Sequence, residues 1–110
     1  MTIASRQVGE KVVLLLAGRM DAENAPEFTK ECESWISKGI TSLVVDVGDL
    51  SYVSSMGLRS FMAIGKTLQD KAGKLSICRQ TGLVKQVFEI TRMNTIFPPH
   101  ESVESALTEG

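Results

Sequence analysis

Val12-Val13-Leu14-Leu15-Leu16 sets branched apolar residues side by side with no polar alternation. A strand with one solvated face alternates apolar and polar residues, so an unbroken run needs cover on at least part of both faces. The run ends at Ala17, far short of the roughly 20 apolar residues that cross a bilayer. The chain must therefore put layers on both sides of a sheet.

The rest of the chain alternates strand and helix patterns. Residues 3–8 and 11–17 read as two strands joined by the two-residue turn Gly9-Glu10. After Gly18-Arg19-Met20-Asp21 comes Asn24-Ala25-Pro26-Glu27. Here Asn24 can cap a helix, Pro26 fits its first turn and Glu27 can reach back as in a capping box. Phe28, Cys32, Trp35 and Ile36 then form one helical stripe, and Gly39 ends it. Leu43-Val44-Val45-Asp46-Val47 predicts a third strand. A helix over residues 55–72 would bury Leu58, Phe61, Met62, Gly65, Leu68 and Ala72, with Gly73 closing it. Residues 74–79 read as a fourth strand, and Leu83, Val84, Val87 and Phe88 mark a helix between Thr81 and Thr91. Ile96-Phe97 can add a short strand; Ser102 caps a last helical turn with Val103, Ala106 and Leu107 inward.

The expected fold is thus one α/β domain over residues 1–110. It holds a four- to five-stranded mixed sheet with an antiparallel N-terminal edge and about four helices. No internal repeat or linker interrupts it.

Charge and composition narrow the function. The formal net charge is −1 and the pI near 5.8, with no basic run, so nucleic acid is not an expected partner. The N-terminus lacks the charged-then-apolar layout of a signal peptide. Cys32 and Cys78 are far apart without CxxC spacing, as free thiols in a reducing cytoplasm would be. A soluble cytoplasmic protein with no membrane partner is expected.

Catalytic material is sparse. The single histidine, His100, sits beside Pro98-Pro99 with no cluster of metal-ligating residues in the sequence around it. No phosphate-loop, dinucleotide or nucleophile-elbow motif occurs. Asp46 and Asp49 flank the end of the third strand as in an acidic pocket, but the first strand supplies Gly18-Arg19 there instead of further carboxylates. No catalytic residue, metal ligand or cofactor site is expected. The protein reads as a non-enzyme.

Attention therefore falls on Asp49-Leu50-Ser51-Tyr52-Val53-Ser54-Ser55-Met56-Gly57-Leu58. It puts two serines and a glycine at a strand-to-helix junction. Helix starts expose unpaired N–H groups and the positive dipole end, so they tolerate phosphate. Either serine can be a plain cap or a phosphate acceptor. Gly57 would permit close approach of a backbone or phosphate.

The segment 46–61 resembles the signature of the STAS domain family, specifically its single-domain anti-sigma factor antagonists. Gly18-Arg19-Met20-Asp21-Ala22-Glu23-Asn24-Ala25 is similar to the family's Gly-x-Leu-Asp segment. Phe97 followed by Ser102-Val103-Glu104-Ser105-Ala106-Leu107 resembles its closing helix. The resemblance covers nearly the whole chain. It implies a switch: the unphosphorylated form binds an anti-sigma factor serine kinase of the histidine-kinase-like ATPase fold and releases a sigma factor. Phosphorylation then ends binding, and a PP2C-type phosphatase restores it. The acceptor position falls on Ser55, with Ser54 as the alternative, because Ser54 stands where the family often has aspartate. Met56 departs from the family's small residue. The expected partner surface is Asp21, Ala22, Asn24, Ser54, Ser55, Met56, Gly57 and Arg59. Two other readings remain: a non-phosphorylated STAS scaffold subunit of a signalling or transport assembly, and a nucleotide-binding module with Arg59 as its basic side chain.

Overall fold

In the computed structural model, which describes residues 1–108, the unbroken apolar run lies at the centre of a four-stranded sheet. Strand β1 (Thr2–Val8) turns through Gly9 into β2 (Lys11–Met20), and the two pair antiparallel from Val8↔Lys11 to Thr2↔Ala17. Helix α1 (Ala25–Ser37) crosses to β3 (Ser42–Val53), and α2 (Ser55–Asp70) crosses to β4 (Lys74–Cys78). β3 is parallel to both β2 and β4, giving the order β1-β2-β3-β4. Helices α3 (Gly82–Ile90), α4 (Met93–Ile96) and α5 (Val103–Thr108) complete the described chain.

Val12, Leu14, Leu16, Leu43, Val45 and Val47 point into the main core, beneath α1, α2 and α3. Three rings stitch those helices: Phe28 to Phe61 at 4.8 Å between centroids, and Phe61 to Phe88 at 5.6 Å edge-on. The opposite sheet face, with Val13, Val44 and Cys78, is covered by Val103 and Ala106 of α5. Cover on both faces is what the apolar run requires.

Several expectations need correction. Ile96-Phe97 forms no strand: Ile96 ends the helical turn α4, and Phe97 fills a cradle over Gly65, where a Cβ would lie 2.5 Å from the ring. The nearest approach to a fifth strand is one parallel bridge between Cys78 and His100. The helices among the described residues number five, in keeping with the about four expected, α4 being a single turn. Met62 is 48% exposed; Gly57, Phe61, Ile64 and Leu68 form the buried stripe of α2, spaced as one helical face. That helix stops at Asp70, and exposed Ala72, not Gly73, takes the left-handed turn with φ 58. Gly73 is needed for another reason, since a Cβ there would strike the Thr41 carbonyl. Asn24 does not cap α1 with its side chain, and its N–H is held by Asp21 Oδ1, leaving no capping box with Glu27.

Candidate functional site

Asp49-Leu50-Ser51 lies beyond the Leu43–Val47 strand expected from the sequence, yet it too is strand. β2 runs on to Met20 and pairs Ala17 with Asp49, Gly18 with Leu50, Arg19 with Tyr52 and Met20 with Val53. Two register shifts place extra residues in β3, the first between the Leu15↔Asp46 and Ala17↔Asp49 pairs. Bulges of this kind bend a strand and re-aim the residues beyond them. The two strands therefore end together, and the Asp21 loop and the serine pair emerge side by side.

At that end Ser54 is the N-cap of α2. Its Oγ accepts the Gly57 N–H at 3.1 Å, its N–H donates to Met20 O at 2.8 Å, and its carbonyl accepts the Leu58 N–H at 3.0 Å. Ser55 is the first residue of the helix, exposed, and its hydroxyl makes no hydrogen bond among the described residues. Met56 is 42% exposed and Arg59 is exposed one turn on. No acidic residue occupies the first turn, so the positive helix end is unopposed by its own side chains. Gly57 is buried; a Cβ would lie 2.6 Å from Met20 Sδ and 2.8 Å from Val53 Cγ2. Its role is packing beneath the helix start, and it offers no approach to a ligand.

The neighbouring loop is tightly tied. Asp21 Oδ1 accepts the N–H groups of Glu23 and Asn24 at 3.0 and 2.9 Å. Asn24 Oδ1 accepts the Asp21 N–H at 2.9 Å, and Asn24 Nδ2 donates to Arg19 O at 2.8 Å. Ala22 is left exposed at the tip. Asp21, Ala22 and Asn24 thus share one end of the sheet with Ser54, Ser55 and Met56.

The STAS domain family model matches residues 2–106. This chain belongs to the STAS domain family. Among curated proteins, the STAS domain is 32% identical to BtrV of Bordetella bronchiseptica, named as an anti-sigma factor antagonist; the match covers 96% of this chain and 91% of that protein. Among solved structures it superposes on an anti-sigma factor antagonist of Thermotoga maritima with TM-score 0.90 at 20% identity, covering 96% and 91% of the two chains. The phosphorylated form of SpoIIAA, a cell fate determinant of Bacillus, matches with TM-score 0.76 at 19% identity, covering 96% of each chain. These two likenesses concern the fold.

The STAS domain carries further features at this end of the sheet that sequence reasoning passed over. The Arg19 guanidinium lies 4.3 Å from the Tyr52 ring centroid, so half-buried Tyr52 packs beneath a cation instead of within the core. Ser51 Oγ donates to Gly18 O at 3.0 Å. Leu83, 50% exposed at the start of α3, lines a shallow cleft of about 310 Å³ with Gly48, Asp49, Leu50, Ser51, Thr81 and Gly82. Strand alternation signals the Tyr52–Arg19 pairing only once the bulged register is known.

Asp46 and Asp49 form no acidic pocket. Asp46 is buried and accepts from Arg79 Nη1 through both oxygens, at 3.2 and 2.9 Å; Asp49 is exposed. Those hydrogen bonds raise Arg79 above its ordinary range. No group of three His, Cys, Asp or Glu residues fit to hold a metal occurs among the described residues. No described helix is long and apolar enough to cross a membrane. A groove of about 880 Å³ lies elsewhere, along Met62, Lys66, Leu75, Ile96 and Phe97.

Proposed function

We propose that this STAS domain is an anti-sigma factor antagonist whose unphosphorylated form binds an anti-sigma factor serine kinase and so frees a sigma factor. Phosphorylation of Ser55 ends that binding, and a PP2C-type phosphatase restores it. The observation that carries the reading is the division of labour between the two serines. Ser54 is committed to capping, whereas Ser55 is exposed and uncommitted at the positive end of α2. The name of the Bordetella relative supports it, as does the existence of SpoIIAA in both unphosphorylated and phosphorylated forms. The protein then works in the cytoplasm, by binding and not by catalysis.

The physics of such a switch is modest. A phosphate adds roughly −1.5 to −2 charges and three acceptor oxygens. At a helix N-terminus that charge is locally favourable, so the fold survives. At a partner interface an unpaired phosphate is costly, and a 100-fold loss of affinity needs only about 2.7 kcal/mol. Asp21, Ala22, Asn24, Met56 and Arg59 form the surrounding contact surface, with Met56 as an adaptable apolar contact.

The test is titration of the cognate anti-sigma kinase with the wild type, Ser55→Ala and Ser55→Asp, alongside mass spectrometry after incubation with kinase and ATP. Ser55→Ala should bind like the unmodified protein and Ser55→Asp about 100-fold more weakly. Equal binding by both variants sinks the charge switch. A phosphate found on Ser54 would move the acceptor, and an unmodified chain would leave the scaffold reading.

A further inference from the structure

Three unusual local choices converge on one point in β3, at Asp46 and Gly48, upstream of the serine pair. β3 bulges immediately after Asp46, and the Gly48 N–H closes that bulge onto Asp46 Oδ1 at 2.9 Å. Arg79, just past β4, adopts a left-handed backbone with φ 61, where glycine or asparagine is ordinarily favoured. Its guanidinium crosses the bare face of Gly48, and a Cβ there would lie 2.6 Å from Arg79 Cζ. It then reaches the Asp46 carboxylate, whose side chain is only 4% exposed. Arg79 also donates its N–H to His100 O at 3.0 Å, fastening the end of β4 to the C-terminal segment.

None of these choices is demanded by the hydrophobic core. A bulge, a glycine without positive φ and an arginine in a glycine-like conformation each conflict with local preference, and such conflicts gather where a site is being shaped. Their shared product is a buried carboxylate held from two sides across the bulge.

We propose that the Asp46–Arg79 pair is a positioning device that locks the bulged register of β3 and thereby aims Ser54, Ser55 and the Asp21 loop. Beyond the bulge Ala17 pairs with Asp49 and Gly18 with Leu50, and a second one-residue shift builds on that register to carry the pairing to Met20↔Val53. Met20 leads directly into the Asp21 loop, and Val53 leads directly into Ser54. A one-residue slip turns every side chain to the other face and would separate the Ser54 N–H from Met20 O. Arg79 therefore acts on the phosphoacceptor through the register, without touching it. Its consequence for phosphorylation rests on the function proposed above; the geometric claim does not.

The experiment uses the full chain and three variants. Arg79→Asn keeps a residue that tolerates the left-handed backbone and removes the ion pair. Gly48→Ala leaves both charges in place and displaces the guanidinium. Arg79→Lys restores charge without the planar fork. Amide hydrogen exchange is followed by NMR at Ser54, Asn24 and Gly57, each rate referred to Leu14 in the sheet centre. Arg79→Asn and Gly48→Ala should both speed exchange at Ser54 and Asn24 about tenfold relative to Leu14, with Arg79→Lys between them and the wild type. Ser55 phosphorylation by the cognate kinase should slow in the same order. A uniform change at all amides, as a merely structural pair would produce, overturns the proposal. So does an unchanged ratio of Ser54 to Leu14. The exchange arm needs no partner, so a wild type that is never phosphorylated defeats the functional reading and leaves the positioning claim to be judged on its own.

Discussion

At the scale of single residues, the two serines and the glycine after them illustrate how adjacent positions divide structural and chemical work. Ser54 accepts the Gly57 N–H, satisfying one of the donors a helix start leaves open. Ser54→Ala should cost about 1 kcal/mol by urea denaturation and leave Ser55 as accessible as before. Gly57→Ala should cost more, about 1–3 kcal/mol, because the new methyl meets Val53 Cγ2, a stiff side chain on a strand. Thermal or urea midpoints of the two variants would rank them. The helix start was legible from the serine pair itself. The glycine's role was not, because a small residue at a helix start reads equally as access for a ligand or as room for the core, and only Met20 and Val53 above it decide. The same holds for Asn24, whose side chain turns back to Asp21 N–H and Arg19 O instead of capping forward. The cysteines give a pH prediction. Burial first, then the nearby Asp46 carboxylate, push the Cys78 thiol from 9.0 up to about 12, and burial raises Cys32 as well. Both groups have folded pKa values above their unfolded ones, so above pH 9 the unfolded chain binds fewer protons and ∂ΔG/∂pH is negative. Their stability contribution should be whole below pH 9 and fall as pH rises toward 12. Denaturation midpoints of the wild type against a Cys32→Ala/Cys78→Ala double variant across that range would show the slope shrink in the variant.

At the scale of elements, the order of strands and helices was readable because each has its own apolar period, while two boundaries were not. β3 continues through Gly48, Asp49 and Ser51, residues that individually favour turns. Pairing with the far end of β2 overrides that preference, and the bulges absorb the mismatch in length. Such an extension depends on a partner strand more than 30 residues away in sequence, so local pattern cannot announce it. The second miss, Ile96-Phe97, has the opposite cause. Met93, Ile96 and Phe97 already carry helical spacing, but the span is one turn long, too short for period to separate strand from helix. Phe97 is held by the close approach that Gly65 allows on α2, and it is 7% exposed. Phe97→Ala should therefore cost about 3–5 kcal/mol, as removal of a buried ring does. Equilibrium unfolding would check it; a loss below about 1 kcal/mol would mean that α4 is not anchored through this ring.

At the scale of the whole molecule, the two faces of the sheet are unequally covered, and that asymmetry has a measurable consequence. The main core draws on four helices and contains Cys32. The second core is small, consisting of Val13, Val44 and Cys78 beneath Val103 and Ala106, with Leu15 and Leu107 at its margin. The Lys11 ammonium donates to Leu107 O at 2.7 Å, tying the end of α5 back to the hairpin. The apolar run in β2 made cover on both faces legible, but its supplier was less so, because a six-residue helix has little amphipathic signal of its own. Deleting residues 102–110 should therefore remove cover from one face and leave the other intact. A valine-sized side chain contributes about 1.5–3 kcal/mol on burial, and Ala106 adds to it, so the loss should be on the order of 3 kcal/mol. The thiols provide a sharper readout than the midpoint. In the full chain both cysteines are buried and should react slowly with a chromogenic disulfide reagent at pH 8. In the truncated chain Cys78 should react and Cys32 should not, because only the first lies under α5. Equal reactivity of the two would mean that the sheet itself has come apart, and that the small helix supports the main core through the strands they share.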